Sequence, residues 1–271
     1  MNKPGHFTPN ARGQCTLVGA GPGDPELLTL KAFKAIQAAT VLLVDDLVSD
    51  EIVAFAPVGA RIVYVGKRGG CKSTPQDFIQ KLMIMSAREG ENVVRLKGGD
   101  PLIFGRAGEE KQHLQALGIE VEVVNGITAG LSAAHGLGVA LTHRAYAHGV
   151  IMITGHASPA RTGAPLPAVD WAQLARTAHD CRLTLVIYMG VQTAAHLQQG
   201  LLQGLPPDTP VAVVENASMP VQRHVCTQLS QLSAVFALEK LASPAIIIVG
   251  DVLLGMQTLS IAKAPAAARG V

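Results

Sequence analysis

Five short runs of β-branched and aliphatic residues mark the first half of the chain: "TLVGA" (16–20), "TVLLVDD" (40–46), "RIVYVG" (61–66), "NVVRLKG" (92–98) and "EVEVVN" (120–125). Amphipathic segments near 25–38, 75–89 and 105–117 lie between them. Strands that alternate with helices predict a mostly parallel sheet covered on both faces. The alternation resumes beyond residue 149 with "VIMITG" (150–155), "LTLVIYM" (183–189), "PVAVVEN" (210–216), "RHVCTQL" (223–229) and "AIIIVGDVL" (245–253), and helices are expected near 171–178, 192–202 and 230–237. Between the halves, "GLGVALTHRAYAHG" (136–149) has the glycine content and weak periodicity of a linker. The expectation is an α/β protein of two α/β domains, 15–137 and 150–255, with 1–14 and 262–271 disordered.

A hydrophobic content of 48% in 271 residues supplies a sizeable core and excludes global disorder. A net charge of +2 gives no footprint for nucleic acid. Charged residues concentrate in the first half, so polar chemistry is expected there. No apolar core of a signal peptide occurs in "MNKPGHFTPNARGQ". The stretch 123–142 lacks Asp, Glu, Lys and Arg, but its Asn125, Thr128, Ser132, His135 and glycines fit a buried loop and helix better than a membrane span. Cys15, Cys71, Cys181 and Cys226 show no C-x-x-C spacing, which fits free thiols in a cytoplasmic protein, and the histidines form no zinc pattern, so no metal is expected.

The segment "CTLVGAGPGDPELLTLKA" opens as a strand, a glycine-rich turn and a helix. A dinucleotide fingerprint would place a third glycine where Asp24 stands, and Pro22 lacks the amide that a pyrophosphate would use. Asp24 is instead placed to cap the following helix, with Pro25 at its first position.

In an open α/β sheet ligands bind beyond the carboxyl ends of the strands. Five clusters fall there: Gly19–Asp24, Asp45–Asp46, Lys67–Arg68, Gly98–Pro101 ("GGDP") and Asn125–Gly130 ("NGITAG"). Each has a plainer explanation as well. The first glycines can serve a tight turn alone, Asp45 and Asp46 can cap the next helix, and Lys67 and Arg68 can be solvated surface charge. The "GGDP" loop resists such an account, because two glycines and a proline make a rigid turn that packing alone seldom requires. "TAG" at 128–130 opens a helix beside it, with a hydroxyl and free amides. No lysine lies in the glycine turn and no P-loop occurs, which favours a ligand carrying adenosine and an amino acid over one carrying phosphates. S-adenosyl-L-methionine meets that description.

Taken together, "LVGAGPGDPELLTLKA", "VLLVDDLVS", "VGKRGGCKSTPQ", "VRLKGGDPLIFGRAGEE", "VVNGITAG", "LTHR", "TGH", "VIYMG" and "SPAIIIVGDV" resemble the tetrapyrrole methylase family, in family order over about residues 15–253. Within that family they are most similar to the stand-alone members that methylate uroporphyrinogen III. The resemblance implies a homodimer with the active cleft between two α/β domains. It implies C-methylation by S-adenosyl-L-methionine, with S-adenosyl-L-homocysteine as the other product. Carried over residue by residue, the cofactor contacts are Pro22, Gly98, Gly99, Asp100, Ile103, Thr128, Ala129, Met189 and Ala217. Asp45 takes the place of a proton acceptor and Lys67 that of a proton donor. The implied substrate carries eight carboxylates, for which Arg68, Lys72, Arg106 and Arg144 are candidate partners. The chain departs from the family pattern at Cys71, Lys72 and Val221, where an aromatic, a histidine and an acidic residue are usual.

Three other readings stand beside this one: a methylase of a later precorrin, a nucleotide-dependent oxidoreductase using the glycine turn and Asp45 or Asp46, and a binding module that keeps the fold without turnover.

Overall fold

A near-continuous apolar strand stays in place only where both its faces are covered, and the first half of the chain meets that requirement. In the computed structural model, which describes residues 13–66, 74–156 and 168–258, its five strands are β1 (Gln14–Gly19), β2 (Val41–Val44), β3 (Arg61–Tyr64), β4 (Asn92–Lys97) and β5 (Val121–Val124). They form one fully parallel sheet in the order β3-β2-β4-β1-β5. The period-two alternation of side chains sorts them onto two cores. Val18, Leu42, Val44, Val94 and Leu96 pack against α1 (Leu30–Gln37) and α2 (Asp50–Val53). Cys15, Leu17, Val41, Leu43 and Val93 pack against α3 (Gln76–Arg88) and α4 (Ala107–Ala116).

Asp24 accepts the amide of Glu26 and caps a 3₁₀ turn, Pro25–Leu27, as expected, but α1 opens separately at Thr29, whose hydroxyl accepts from Ala32. The short α2 has no apolar periodicity long enough to announce it. Gln14, within the 1–14 segment expected to be disordered, instead opens β1; residues 1–12 and 262–271 lie outside the described residues.

The chain forms two compact units, dividing between Ala129 and Gly130. That division precedes the linker expected at 136–149. α5 (Ala129–Leu137) belongs almost wholly to the second unit, where Gly130 lies against Val186 and Tyr188, and its amide donates to the Tyr188 hydroxyl at 2.9 Å. Within 136–149, His143 and Ala147 close a turn by a backbone bridge.

The second unit contains β6 (Gly149–Thr154), α6 (Trp171–Asp180), β7 (Leu183–Tyr188), α7 (Ala194–Leu201), β8 (Pro210–Glu215), β9 (Arg223–Gln228), α8 (Leu232–Leu238) and β10 (Ala245–Val249). Its sheet runs β6-β7-β10-β8-β9. Only the β6–β7 pairing is parallel; β10 lies antiparallel between β7 and β8, and β8 and β9 pair antiparallel with no helix between them. The expected strand–helix alternation therefore breaks at β8–β9 in the second half, and strand direction differs between the halves. One face carries Leu185, Ile187, Val211, Val213, Ile247 and Val249 against α6, α7 and α8.

Candidate functional site

The strand order of the first sheet makes a switch point. β1 and β4 are neighbours, yet α1 leaves β1 on one face and α4 leaves β4 on the other, so the loops beyond their carboxyl ends diverge. Those loops are joined by backbone alone: Gly99 donates to Gly21 at 2.7 Å and Gly21 to Gly99 at 3.1 Å. Both glycines have positive φ, 71° and 70°, so the bridge needs residues without a Cβ. The loop after β5 completes the group. A Cβ on Gly19 would fall 2.5 Å from the Gly126 amide nitrogen and 2.8 Å from the Gly99 carbonyl oxygen. "GAG", "GGD" and "NGI" are therefore glycine-rich because three backbones pass through one place.

Asp100 locks the arrangement. Its Oδ1 accepts the Leu102 amide at 2.8 Å, closing its own turn, and its Oδ2 accepts the Gly126 amide at 3.1 Å, tying the β4 loop to the β5 loop. Part of its accepting capacity is thus committed within the protein. The loop after β2 joins through the Ser49 hydroxyl, which donates to the Gly23 carbonyl at 2.9 Å, and through Leu47, which crowds Gly98. Thr128 is buried and Ala129 half-buried at the start of α5, while Ile103 and Phe104 extend outward from the "GGDP" loop. No lysine or arginine occurs in Gly19–Asp24, Gly98–Pro101 or Asn125–Gly130. A cradle of amides, carbonyls and small side chains suits an uncharged nucleoside and an amino acid better than a phosphate, so these residues fit an S-adenosyl group.

Asp45 does not cap α2; the N-cap there is Ser49. Its side chain is about one-third exposed, with Oδ1 accepting the Asp46 amide at 3.2 Å and Oδ2 3.3 Å from the Arg95 guanidinium. Arg95 is one of a set of buried charges that sequence reading missed. Arg95 and Lys97 stand two residues apart on β4 and so share the face under α3 and α4. Glu110 of α4, wholly buried, accepts from Lys97 Nζ at 3.1 Å through both oxygens, accepts from Gln76 at 2.7 Å and lies 3.7 Å from Arg95 Nε. Burial pushes the Lys97 ammonium below its ordinary range, and Arg95 adds to that effect against the pull of Glu110 and Asp45. The available signal was an arginine and a lysine on one face of a strand read as buried, since such charges persist inside only when paired.

The other sequence-derived residues are placed as follows. Pro22 is half-buried in the first turn. Met189 follows β7 with φ 54° and is 50% exposed, an unusual pairing of strained backbone and exposed apolar side chain. Ala217 is buried between Asn216 and Ser218, both of positive φ. Arg106 is held by Glu109 through two hydrogen bonds, and Arg144 is exposed in the 143–147 turn. Lys67, Arg68 and Lys72 lie outside the described residues. Among the described residues no group of three His, Cys, Asp or Glu is placed to hold a metal ion, and no helix is long and apolar enough to cross a membrane.

Comparison with known proteins decides the family. The model of the tetrapyrrole (corrin/porphyrin) methylases matches residues 14–233. The chain belongs to this family. Uroporphyrinogen-III C-methyltransferase of Pseudomonas aeruginosa is 52% identical over 241 residues, 89% of this chain and 94% of that protein. The crystal structure of uroporphyrin-III C-methyltransferase from Thermus thermophilus, complexed with S-adenosyl homocysteine, is similar at 40% identity, with a TM-score of 0.73 over 90% of this chain and 100% of that one. A cobalt precorrin-4 methyltransferase is 29% identical, with a TM-score of 0.76 over 89% of this chain and 95% of the other. The chain is thus a tetrapyrrole methylase by family, and the glycine turn after β1 lies within the matched residues.

Proposed function

We propose that this protein methylates uroporphyrinogen III at C2 and C7, passing through precorrin-1 to precorrin-2, and so feeds sirohaem, cobalamin or haem d1 biosynthesis. The observation that carries the proposal is the cation-free cradle of Gly19, Gly99 and Gly126, with the Asp45 carboxylate beyond the end of the neighbouring strand β2. The 52% identity to a uroporphyrinogen-III enzyme supports that substrate over a later precorrin.

When bound, S-adenosylmethionine supplies an activated methyl group on its sulfonium. Pro22, Gly98, Gly99, Asp100, Ile103, Thr128 and Ala129 are proposed to hold it, with Met189 and Ala217 as further contacts. Positioning dominates such a transfer, and backbone amides and carbonyls locked by the Gly21–Gly99 bridge and by Asp100 are suited to it. Methylation at a pyrrole carbon leaves positive charge at the ring nitrogen. Asp45, open to solvent on one side, is proposed to stabilise that charge or accept the proton, and Lys67 to return one. Leu47, Leu102, Ile103 and Phe104 give the loops after β2 and β4 exposed apolar surface suited to a macrocycle. Arg68, Lys72, Arg106 and Arg144 are proposed as carboxylate partners; for Arg106 this requires exchange of its exposed partner Glu109, a modest cost.

The test is the mass of the tetrapyrrole after incubation with S-adenosylmethionine and anaerobically prepared uroporphyrinogen III. Addition of two methyl groups is expected; none, with the cofactor bound, would redirect the search to a later precorrin. The same reading holds the enzyme to be a cytoplasmic homodimer, and sedimentation as a monomer at assay concentration would remove the dimer.

A further inference from the structure

Arg95 is 2% exposed in the middle of a parallel sheet, where an apolar residue would pack without desolvation cost. Its surroundings show where that cost is offset. One terminal nitrogen donates to the carbonyl oxygens of Leu43 at 3.4 Å and Leu96 at 3.1 Å, the other lies 3.3 Å from Asp45 Oδ2, and Nε, which has no hydrogen-bond partner among the described residues, faces Glu110 at 3.7 Å. The four charges Asp45, Arg95, Glu110 and Lys97 balance to zero. Three of them are closed off from solvent and only Asp45, at 36% side-chain exposure, reaches it. A pair that served packing alone would not need one open end. Here a rigid buried cation, clamped by two main-chain carbonyls, faces a carboxylate that remains accessible.

We propose that Arg95 is a positioning residue for methyl transfer: its buried guanidinium fixes the Asp45 carboxylate in the rotamer from which Asp45 meets the substrate. The inference rests on the role proposed for Asp45 above. Lys97 acts one step further back, neutralising Glu110 through both of its oxygens, so that Glu110 does not draw the guanidinium away from Asp45. An arginine suits the task because its planar fork addresses the two carbonyls and the carboxylate together, which a lysine ammonium cannot do from one point.

The experiment compares Arg95→Gln, Arg95→Lys, Asp45→Asn and the Arg95→Gln/Asp45→Asn double variant of the full chain. kcat and KM are measured with uroporphyrinogen III, S-adenosylhomocysteine affinity by calorimetry, and folding by thermal unfolding. Asp45→Asn is expected to lower kcat on the order of 100-fold. Arg95→Gln should lower kcat by roughly 10- to 100-fold with KM and S-adenosylhomocysteine affinity within about twofold, Arg95→Lys should recover part of the loss, and the double variant should be no slower than Asp45→Asn alone. Losses that multiply in the double variant, or full kcat in Arg95→Gln, overturn the inference while leaving Asp45 in its role. Full activity in Asp45→Asn overturns both. Should Arg95→Gln lack a cooperative unfolding transition, Arg95→Lys paired with Asp45→Asn carries the same test of coupling.

Discussion

Gly126 shows how far one missing methyl group can matter. A Cβ there would enter the Gly99 carbonyl and lie 2.9 Å from Gly19, both of them backbone that cannot rotate aside. Gly126→Ala is therefore expected to cost about 1–3 kcal/mol in urea unfolding, as overpacking does. Because it moves the cradle, it should also weaken S-adenosylhomocysteine more than about tenfold by calorimetry. Normal affinity with normal stability would mean that the three loops need not touch. Cys15 makes a different point at the same scale. Burial, with Glu110 adding to it, pushes its thiol from 9.0 up to about 12. Below about pH 9 the thiol is protonated in both folded and unfolded chains and adds no pH dependence. Between about 9 and 12 only the unfolded chain ionises, so stability falls as pH rises through that window. At pH 8 a thiol reagent should modify exposed Cys181 and leave Cys15 untouched until urea is added, as read by peptide mass.

At the scale of elements, β4 is the member that connects fold to site. Its Val94 and Leu96 serve the core under α1 and α2, while Arg95 and Lys97 carry charge into the core under α3 and α4. Glu110 fastens α4 to β4 through Lys97 and reaches α3 through Gln76. Glu110→Gln leaves a buried ammonium without its carboxylate and is expected to cost about 3–5 kcal/mol. The Lys97→Met/Glu110→Leu double variant should lose less than the sum of its single changes, since it removes both charges together. Additive losses would show that the two do not form a pair. The alternation and the apolar runs made these elements readable, and their ends fall within a few residues of expectation. α2 escaped because four residues carry too little periodicity, and the charged face of β4 escaped because an arginine in a strand has no visible partner until the helix after it is folded back.

For the whole molecule, a site built from loops held mostly by backbone contacts should gain from its ligand. S-adenosylhomocysteine at one hundred times its dissociation constant is expected to stabilise the fold by about 2.7 kcal/mol. Amide exchange should slow at Gly99, Gly126 and their neighbours in the first unit, and protection confined to the second unit would place the ligand elsewhere. What the sequence determined by itself is local or carried by contiguous motifs: the α/β class, the strand-end loops, the rigid "GGDP" turn and the cap at Asp24. Those features depend on periodicity, turn chemistry and residues a few positions apart. Tertiary structure alone decided what depends on residues far apart in the chain. It set β10 antiparallel between β7 and β8, divided the chain at Ala129, engaged each Asp100 oxygen in one loop-closing hydrogen bond and placed Arg95 behind Asp45. Strand direction and buried pairing are properties of contacts, and no stretch of sequence contains both partners of a contact that the fold has yet to bring together.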